Sequence, residues 1–286
     1  MKPFLVAATL TLTTAWFVSL GLAQDGSGGN RGTPPPVSRR TAVTVAAPIP
    51  SGNLLAAISG GPTADAYLMS VSPFSVLLTL AGHFPANLSG LSNLPGTAIF
   101  SMTGGMGDGG NLYYSLPNGS FVGVGPSGFG AVPGLAWNPT GTVLYGTAAV
   151  SVPAAGLIFF PGGLPPASMI GPFGGGIGGI DAIAFQPTTG TLFGSTGFFY
   201  DGSPGDEIVM NPATGAAAKT GVMIPEPPCT VAGMAFDDGG TGYISIGCGS
   251  GLGGNIYSWN PTTNVITLLG NANGSTKSVT DIEAIF

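Results

Sequence analysis

Ala182-Ile-Ala-Phe-Gln-Pro-Thr-Thr-Gly-Thr-Leu-Phe-Gly194 occurs more than once, and its recurrence sets the architecture. Gly134-Leu-Ala-Trp-Asn-Pro-Thr-Gly-Thr-Val-Leu-Tyr-Gly146 is a second copy, and Gly233-Met-Ala-Phe-Asp-Asp-Gly-Gly-Thr-Gly-Tyr-Ile-Ser245 a third. A degraded copy runs from Gly90 to Ser101, and a fragment from Asp281 to Phe286 repeats the start of the unit. Aligning Leu91, Leu135, Ile183, Met234 and Ile285 gives steps of 44, 48, 51 and 51 residues. Each copy is an apolar run, a turn and a second apolar run, which is the pattern of a β-hairpin.

A second hairpin follows each copy. Its first runs are Ala66–Pro73, Asn111–Asn118, Gly156–Pro161, Asp206–Pro212 and Asn255–Pro261. Its second runs are Val76–Gly82, Phe121–Gly125, Ser168–Gly171, Ala216–Gly221 and Val265–Gly270. These segments are rich in Val, Ile, Leu, Phe and Tyr, the residues that pack best on a pleated surface. Asn138-Pro139, Asn211-Pro212 and Asn260-Pro261 supply turn chemistry. The Asn side chain bonds the backbone ahead of it, and proline presets φ at the next position.

Four short strands repeated every 44–51 residues predict an all-β chain, a β-propeller of about five four-stranded blades. The ends are ragged in a complementary way. Asn53–Ile58 looks like a second strand without its first, and Asp281–Phe286 like a first strand without its followers. Joining them predicts a ring closed by the C-terminal strand, which completes the N-terminal blade and leaves no exposed inner edge. Thr41–Ile49 alternates in polarity and is read as one further strand outside that count.

The composition agrees. The 286 residues include 51 Gly and 26 Pro, which disfavours long helices, while a hydrophobic fraction of 44% supplies a core. Charged residues are 6% of the chain, against about 25% in ordinary soluble proteins. Six Lys and Arg cannot build a basic nucleic-acid face or a polybasic membrane patch, so neither partner is expected.

Residues 1–23 have the three parts of a secretory signal peptide: Lys2, an apolar stretch from Phe4 to about Leu20, and small residues before a cut after Ala23. The stretch is also near spanning length, so an uncleaved anchor is the alternative. Residues 24–40 read as a flexible Gly/Pro-rich linker, and 41–286 as the propeller domain. Cleavage would leave five basic residues against twelve acidic ones, a net charge of −7. The expected location is secreted, cell surface or periplasmic, with no membrane span after cleavage.

Two cysteines in an exported chain suggest a disulfide. Cys229 precedes the strand from Val231 and Cys248 follows the strand ending at Gly247, so a hairpin about Asp237–Gly240 brings them together, with Val231 roughly opposite Cys248. The bridge would close 19 residues and stabilise by about 3 kcal/mol in the chain-entropy account. The alternative is two free buried thiols.

Chemistry-bearing residues are few. His83, the one histidine, follows the last strand of the first blade. A single histidine rules out a His–His acid–base pair and a three-histidine zinc site. No catalytic residue is assigned. The aligned second position of the inner strands is Ser89, Pro133, Asp181, Ala232 and Glu283. Asp181 and Glu283, with Asp281 nearby, would offer oxygen ligands to calcium, although solvated or capping carboxylates explain them as well. The acidic stretch from Asp201 to Glu207 is read as a loop within the fourth blade, and Phe198, Phe199 and Tyr200 as aromatics that stack on a sugar or pack between blades.

The units resemble those of bacterial secreted β-propeller proteins built on Gly-Leu-Ala-Phe-Asp-Pro-Thr-Thr-Gly-Thr-Leu-Tyr-Gly repeats, of the NHL or YVTN kind. Ala182–Gly194 and Asn211–Gly215 carry the resemblance most closely, and it covers roughly residues 54–286. It implies the propeller fold and is nearly silent on activity, since this fold hosts binding modules, lyases, lactonases and oxidoreductases. The expectation is a secreted, non-catalytic binding or surface-associated structural module. Its partner would be a polysaccharide, a cell-envelope component or further copies of itself. The alternative is a metal-dependent lyase or hydrolase with its site at the central channel.

Overall fold

The computed structural model describes residues 53–59, 64–72, 75–84, 88–94, 98–102, 110–115, 121–148, 155–197, 205–223, 230–247, 254–271 and 278–285. Within them the regular elements are β-strands and a single 3-10 turn at Pro161–Gly163. The strands are β1 (Asn53–Ser59), β2 (Ala64–Ser72), β3 (Ser75–Phe84), β4 (Gly90–Leu94), β5 (Ala98–Met102), β6 (Asn111–Ser115), β7 (Phe121–Pro126), β8 (Leu135–Trp137), β9 (Leu144–Ala148) and β10 (Gly156–Phe160). They continue as β11 (Ser168–Pro172), β12 (Ile180–Phe185), β13 (Leu192–Thr196), β14 (Asp206–Met210), β15 (Ala217–Met223), β16 (Thr230–Phe236), β17 (Gly242–Gly247), β18 (Asn255–Asn260), β19 (Val265–Asn271) and β20 (Ser278–Ile285).

They pair into four-stranded sheets. The orders are β20-β1-β2-β3, β4-β5-β6-β7, β8-β9-β10-β11, β12-β13-β14-β15 and β16-β17-β18-β19. The first sheet therefore takes a strand from each end of the described chain, with β20 antiparallel to β1 from Asn53↔Ile285 to Ser59↔Ser278. The leading strands of the sheets touch in a cycle: β20 meets β4, β4 meets β8, β8 meets β12, β12 meets β16, and β16 meets β20.

The turns form as their chemistry dictates. Asn138 Oδ1 accepts the backbone N–H of Thr142 (2.8 Å) and of Val143 (3.1 Å), and Asn138 Nδ2 donates to Thr142 Oγ1 (3.0 Å). Gly141 has φ +64°, the left-handed conformation that the turn requires and that glycine adopts freely. Asn260 does the same for the N–H groups of Thr262 and Thr263.

The core lies between sheets. Met102, Leu112, Val132, Leu135, Leu144 and Phe160 fill the gap between the second and third sheets. Leu157, Phe173, Ile180, Ile183, Leu192 and Ile208 fill the next. Val231, Phe236, Ile246, Phe193, Tyr257 and Trp259 fill the one between the fourth and fifth. Polar ties cross these gaps as well: Trp137 N–H donates to Ser92 Oγ (2.9 Å), Ser89 Oγ to the Val132 carbonyl (3.1 Å), and Gln186 Nε2 to the Gly240 carbonyl (3.1 Å).

Register corrects the repeat alignment. In β12 the ladder skips Asp181 between Ile180↔Thr196 and Ala182↔Ser195, and in β16 it skips Ala232 between Val231↔Ile246 and Gly233↔Ser245. In β20 the skipped residue is Thr280, between Val279↔Ile58 and Asp281↔Ala57. The equivalent of Asp181 is thus Thr280, not Glu283, and Ile282 rather than Ile285 matches Ile183 and Met234. A β-bulge consumes one residue without a partner, and sequence spacing does not reveal where it falls.

Three further placements differ from expectation. His83 lies within β3, opposite Asp65, and not after the strand. Asp206 and Glu207 open β14, as the run Asp206–Pro212 predicts and against the reading of Asp201–Glu207 as a loop. Thr230↔Gly247 and Val231↔Ile246 set the β16–β17 hairpin, two residues from the expected pairing of Val231 with Cys248. Residues 1–23, 24–40 and 41–49, the aromatics Phe198–Tyr200, and Cys229 and Cys248 themselves lie outside the described residues.

Candidate functional site

Two carboxylates stand out by their surroundings. Asp181 is the bulge residue of β12, a position at which a strand re-aims one side chain away from the pleat. Its carboxylate lies over the backbone of Gly197, where a Cβ would collide with both of its oxygens. Glycine at 197 is therefore what leaves room for it. Asp181 Oδ1 is buried and accepts no hydrogen bond. Burial without a compensating charge pushes the Asp181 carboxyl up to about 7.

Glu207 is the second. It is 8% exposed, in β14 directly opposite Ser195 of β13. Burial raises its pKa, and a hydrogen bond with Thr220 partly offsets that. The Thr220 hydroxyl lies 3.2 Å from the Glu207 carbonyl, to which it donates. Glu207 Oε2 has no hydrogen-bond partner, and neither do Ser195 Oγ and Trp259 Nε1. All three residues line a cleft between the fourth and fifth sheets, walled by Val231, Met234 and Ile266. Trp259 is held there by Phe193, edge to face at 5.1 Å, and by Phe236 at 5.5 Å.

The neighbouring Asp206 is differently placed. Its carboxylate takes Lys219 Nζ at 2.9 Å, and its N–H donates to Thr196 Oγ1 at 2.9 Å. Asp237 accepts from the Thr241 N–H and the Tyr243 hydroxyl, at 2.8 and 3.2 Å. Burial, followed by the charge and hydrogen bond of Asp237, raises the Tyr243 pKa. Both acids are thus tied into local structure.

Of the proposed calcium ligands, Asp181 is on β12 and Asp281 and Glu283 are on β20, with β16 in contact with both strands. Among the described residues no three of His, Cys, Asp and Glu cluster as metal ligands. The side chains of Asp281 and Glu283 lie outside that description. Sequence reasoning singled out Asp181 and passed over Glu207. The signal was available in the repeat: positions equivalent to Glu207 hold Leu112, Leu157 and Ile256, each beside the register shift of its third strand.

No protein-family model and no curated protein matches the chain. Solved structures do match it. A chain of a nidogen/laminin complex aligns with a TM-score of 0.53 at 12% identity, over 82% of this chain and 98% of that one. TolB from Acinetobacter baumannii aligns at 0.49 and 10% identity, over 77% of this chain and 53% of that one. A gluconolactonase from Xanthomonas campestris aligns at 0.49 and 12% identity, over 74% and 73%. At such identities a likeness speaks for fold alone, and the first of these, with the sheet arrangement above, makes the chain a β-propeller.

Proposed function

We propose that the chain is a secreted, non-catalytic binding or surface-associated module built on a five-bladed ring that β20 completes. The observation that carries this reading is the near absence of charge on four outer strands. Of the last strands of their sheets, β7, β11, β15 and β19 hold a single charge, Lys219. Val265 and Leu268 of β19 are more than half exposed. Edge strands of soluble proteins are normally guarded by charge, so an unguarded apolar edge suits a protein that works in contact with a matrix, an envelope or its own copies. A polysaccharide array and sedimentation with isolated cell envelopes test this. Retention by neither, together with monomeric behaviour at high concentration, would leave the reading without support.

Export is part of the proposal, with residues 1–23 as signal peptide and residues 24–40 as linker. So is the Cys229–Cys248 bridge. Its support is the register, since Thr230↔Gly247 pairs the residues next to both cysteines, and directly opposed strand residues lie at disulfide distance, about 4.5–5.5 Å between Cα atoms. Mass spectrometry of unreduced protein should show the pair two hydrogens lighter than the reduced form.

The second reading is a metal-dependent lyase or hydrolase with calcium at Asp181, Asp281 and Glu283. The observation favouring it is the buried, unpartnered Asp181 oxygen. Calcium titration of the parent and of Asp181→Asn discriminates: saturable binding abolished by the substitution supports the metal site, and equal behaviour removes it.

A further inference from the structure

Within this fold each blade repeats a solution to one packing problem, so a departure at one position is informative. The third-strand residue beside the register shift is Leu112 in the second sheet, Leu157 in the third and Ile256 in the fifth, each fully buried. In the fourth sheet it is Glu207, almost as buried. Three sister positions show that an aliphatic side chain serves the fold there. A carboxylate in that place costs desolvation that packing does not return. Residues that lower stability without a structural task mark sites of function.

We infer that the cleft between the fourth and fifth sheets is a receptor for a primary alkylammonium group, with Glu207 as the anion that holds it. The argument is one of size, charge and wall chemistry. The cavity is about 20 Å³ and opens to solvent. That is room for one group the size of a water molecule, which is the size of an ammonium head. Ser195 Oγ, unpartnered across the strand pair from Glu207, offers a second acceptor. Val231, Met234 and Ile266 line the cleft with the apolar surface that an alkyl stem would cover, and the Trp259 indole adds a ring of the kind that attracts cations. Lys219, the one Lys or Arg among the described residues, is engaged by Asp206. The net charge of −6 draws cations toward the chain as a whole.

Glu207 is the only titratable group among the residues lining the cleft, and Asp206 with its Lys219 partner is the nearest charged pair along the strand. A proton competes with the guest for the same carboxylate. Affinity should therefore fall as the pH drops through the raised pKa of Glu207.

The test is calorimetric titration of the whole protein with n-butylammonium chloride, and with 1-butanol as the neutral isostere, at pH 8 and pH 5. Butylammonium should bind at pH 8 with a Kd on the order of millimolar, as expected for so few atoms. It should bind more weakly at pH 5 than at pH 8, and 1-butanol should not bind measurably. Glu207→Gln and Glu207→Leu should each lose at least tenfold at pH 8. The Leu variant keeps the test open should the Gln variant fold poorly, because Leu fills the equivalent positions. Equal binding of butanol, unchanged affinity in either folded variant, or no binding of butylammonium to the parent would each overturn the inference.

Discussion

Asp181 shows how a single residue can make stability depend on pH. Its folded pKa of about 7 stands above the ordinary value of 3.8. Below 3.8 the group is neutral in both states and costs nothing. As pH rises above 3.8 the unfolded chain gains a solvated charge that the folded chain withholds, so stability falls until the folded group also ionises near 7. Above that the penalty is constant. Asp181→Asn should then leave stability near pH 3.5 unchanged and raise it at pH 8 by a few kcal/mol at most, since a tenfold change in proton affinity is worth about 1.4 kcal/mol. Urea unfolding at both pH values measures this, and an equal effect at both would contradict the buried-carboxylate account. Glu207 adds to the slope in the same direction.

The turn elements make a different claim. Asn138 bonds two backbone N–H groups and the Thr142 hydroxyl, whereas Asn211 accepts from one N–H, that of Ala213 at 2.9 Å. Asn138→Ala should destabilise by about 1–2 kcal/mol, lowering the Tm by about 2–4 °C for each kcal/mol in a chain of this size. Asn211→Ala should cost about half as much. Thermal unfolding of the two variants side by side tests the ranking, and the reverse order would show that the turns are held by something other than these side chains. This part of the fold was legible beforehand, because Asn-Pro chemistry acts within about five residues and needs no distant partner.

For the whole molecule, β20 is the decisive strand. It pairs with β1 along the length of that strand and touches β4 and β16. Ending the chain after Lys277 removes it, leaves the β1 edge unpaired and strips two neighbouring sheets of a contact. The truncated protein should aggregate or unfold well below the parent, and a melt like the parent's would show that β20 is dispensable. Weak charge should govern association too. The sequence pI is about 4.3 and the net charge at pH 7 is −6. That modest repulsion is screened beyond a Debye length of about 8 Å at physiological salt. Analytical ultracentrifugation should show self-association rising with ionic strength and as pH approaches 4.3. A monomer in every condition would count against assembly through the exposed β19 face.

The repeat, the four strands of each unit and the turns between them are readable in the amino-acid sequence. These follow from alternation of apolar residues, from Asn-Pro and Gly placement, and from the near absence of charge, all of them properties of short windows. Register and burial depend on how distant segments meet in the folded chain. One bulge at Thr280 shifts the last unit by three residues, so Ile282 stands where Ile285 was expected and Glu283 leaves the Asp181 position. Glu207 falls in a run that reads as a strand, but nothing within its own segment shows the fifth sheet folding over it. A bulge is one unpaired residue in a ladder, and the burial of Glu207 is contact with chain between Val231 and Ile266, well beyond its own segment. Neither leaves a mark on local composition, and the two carboxylates whose pKa is raised among the described residues, Asp181 and Glu207, owe that to one or the other.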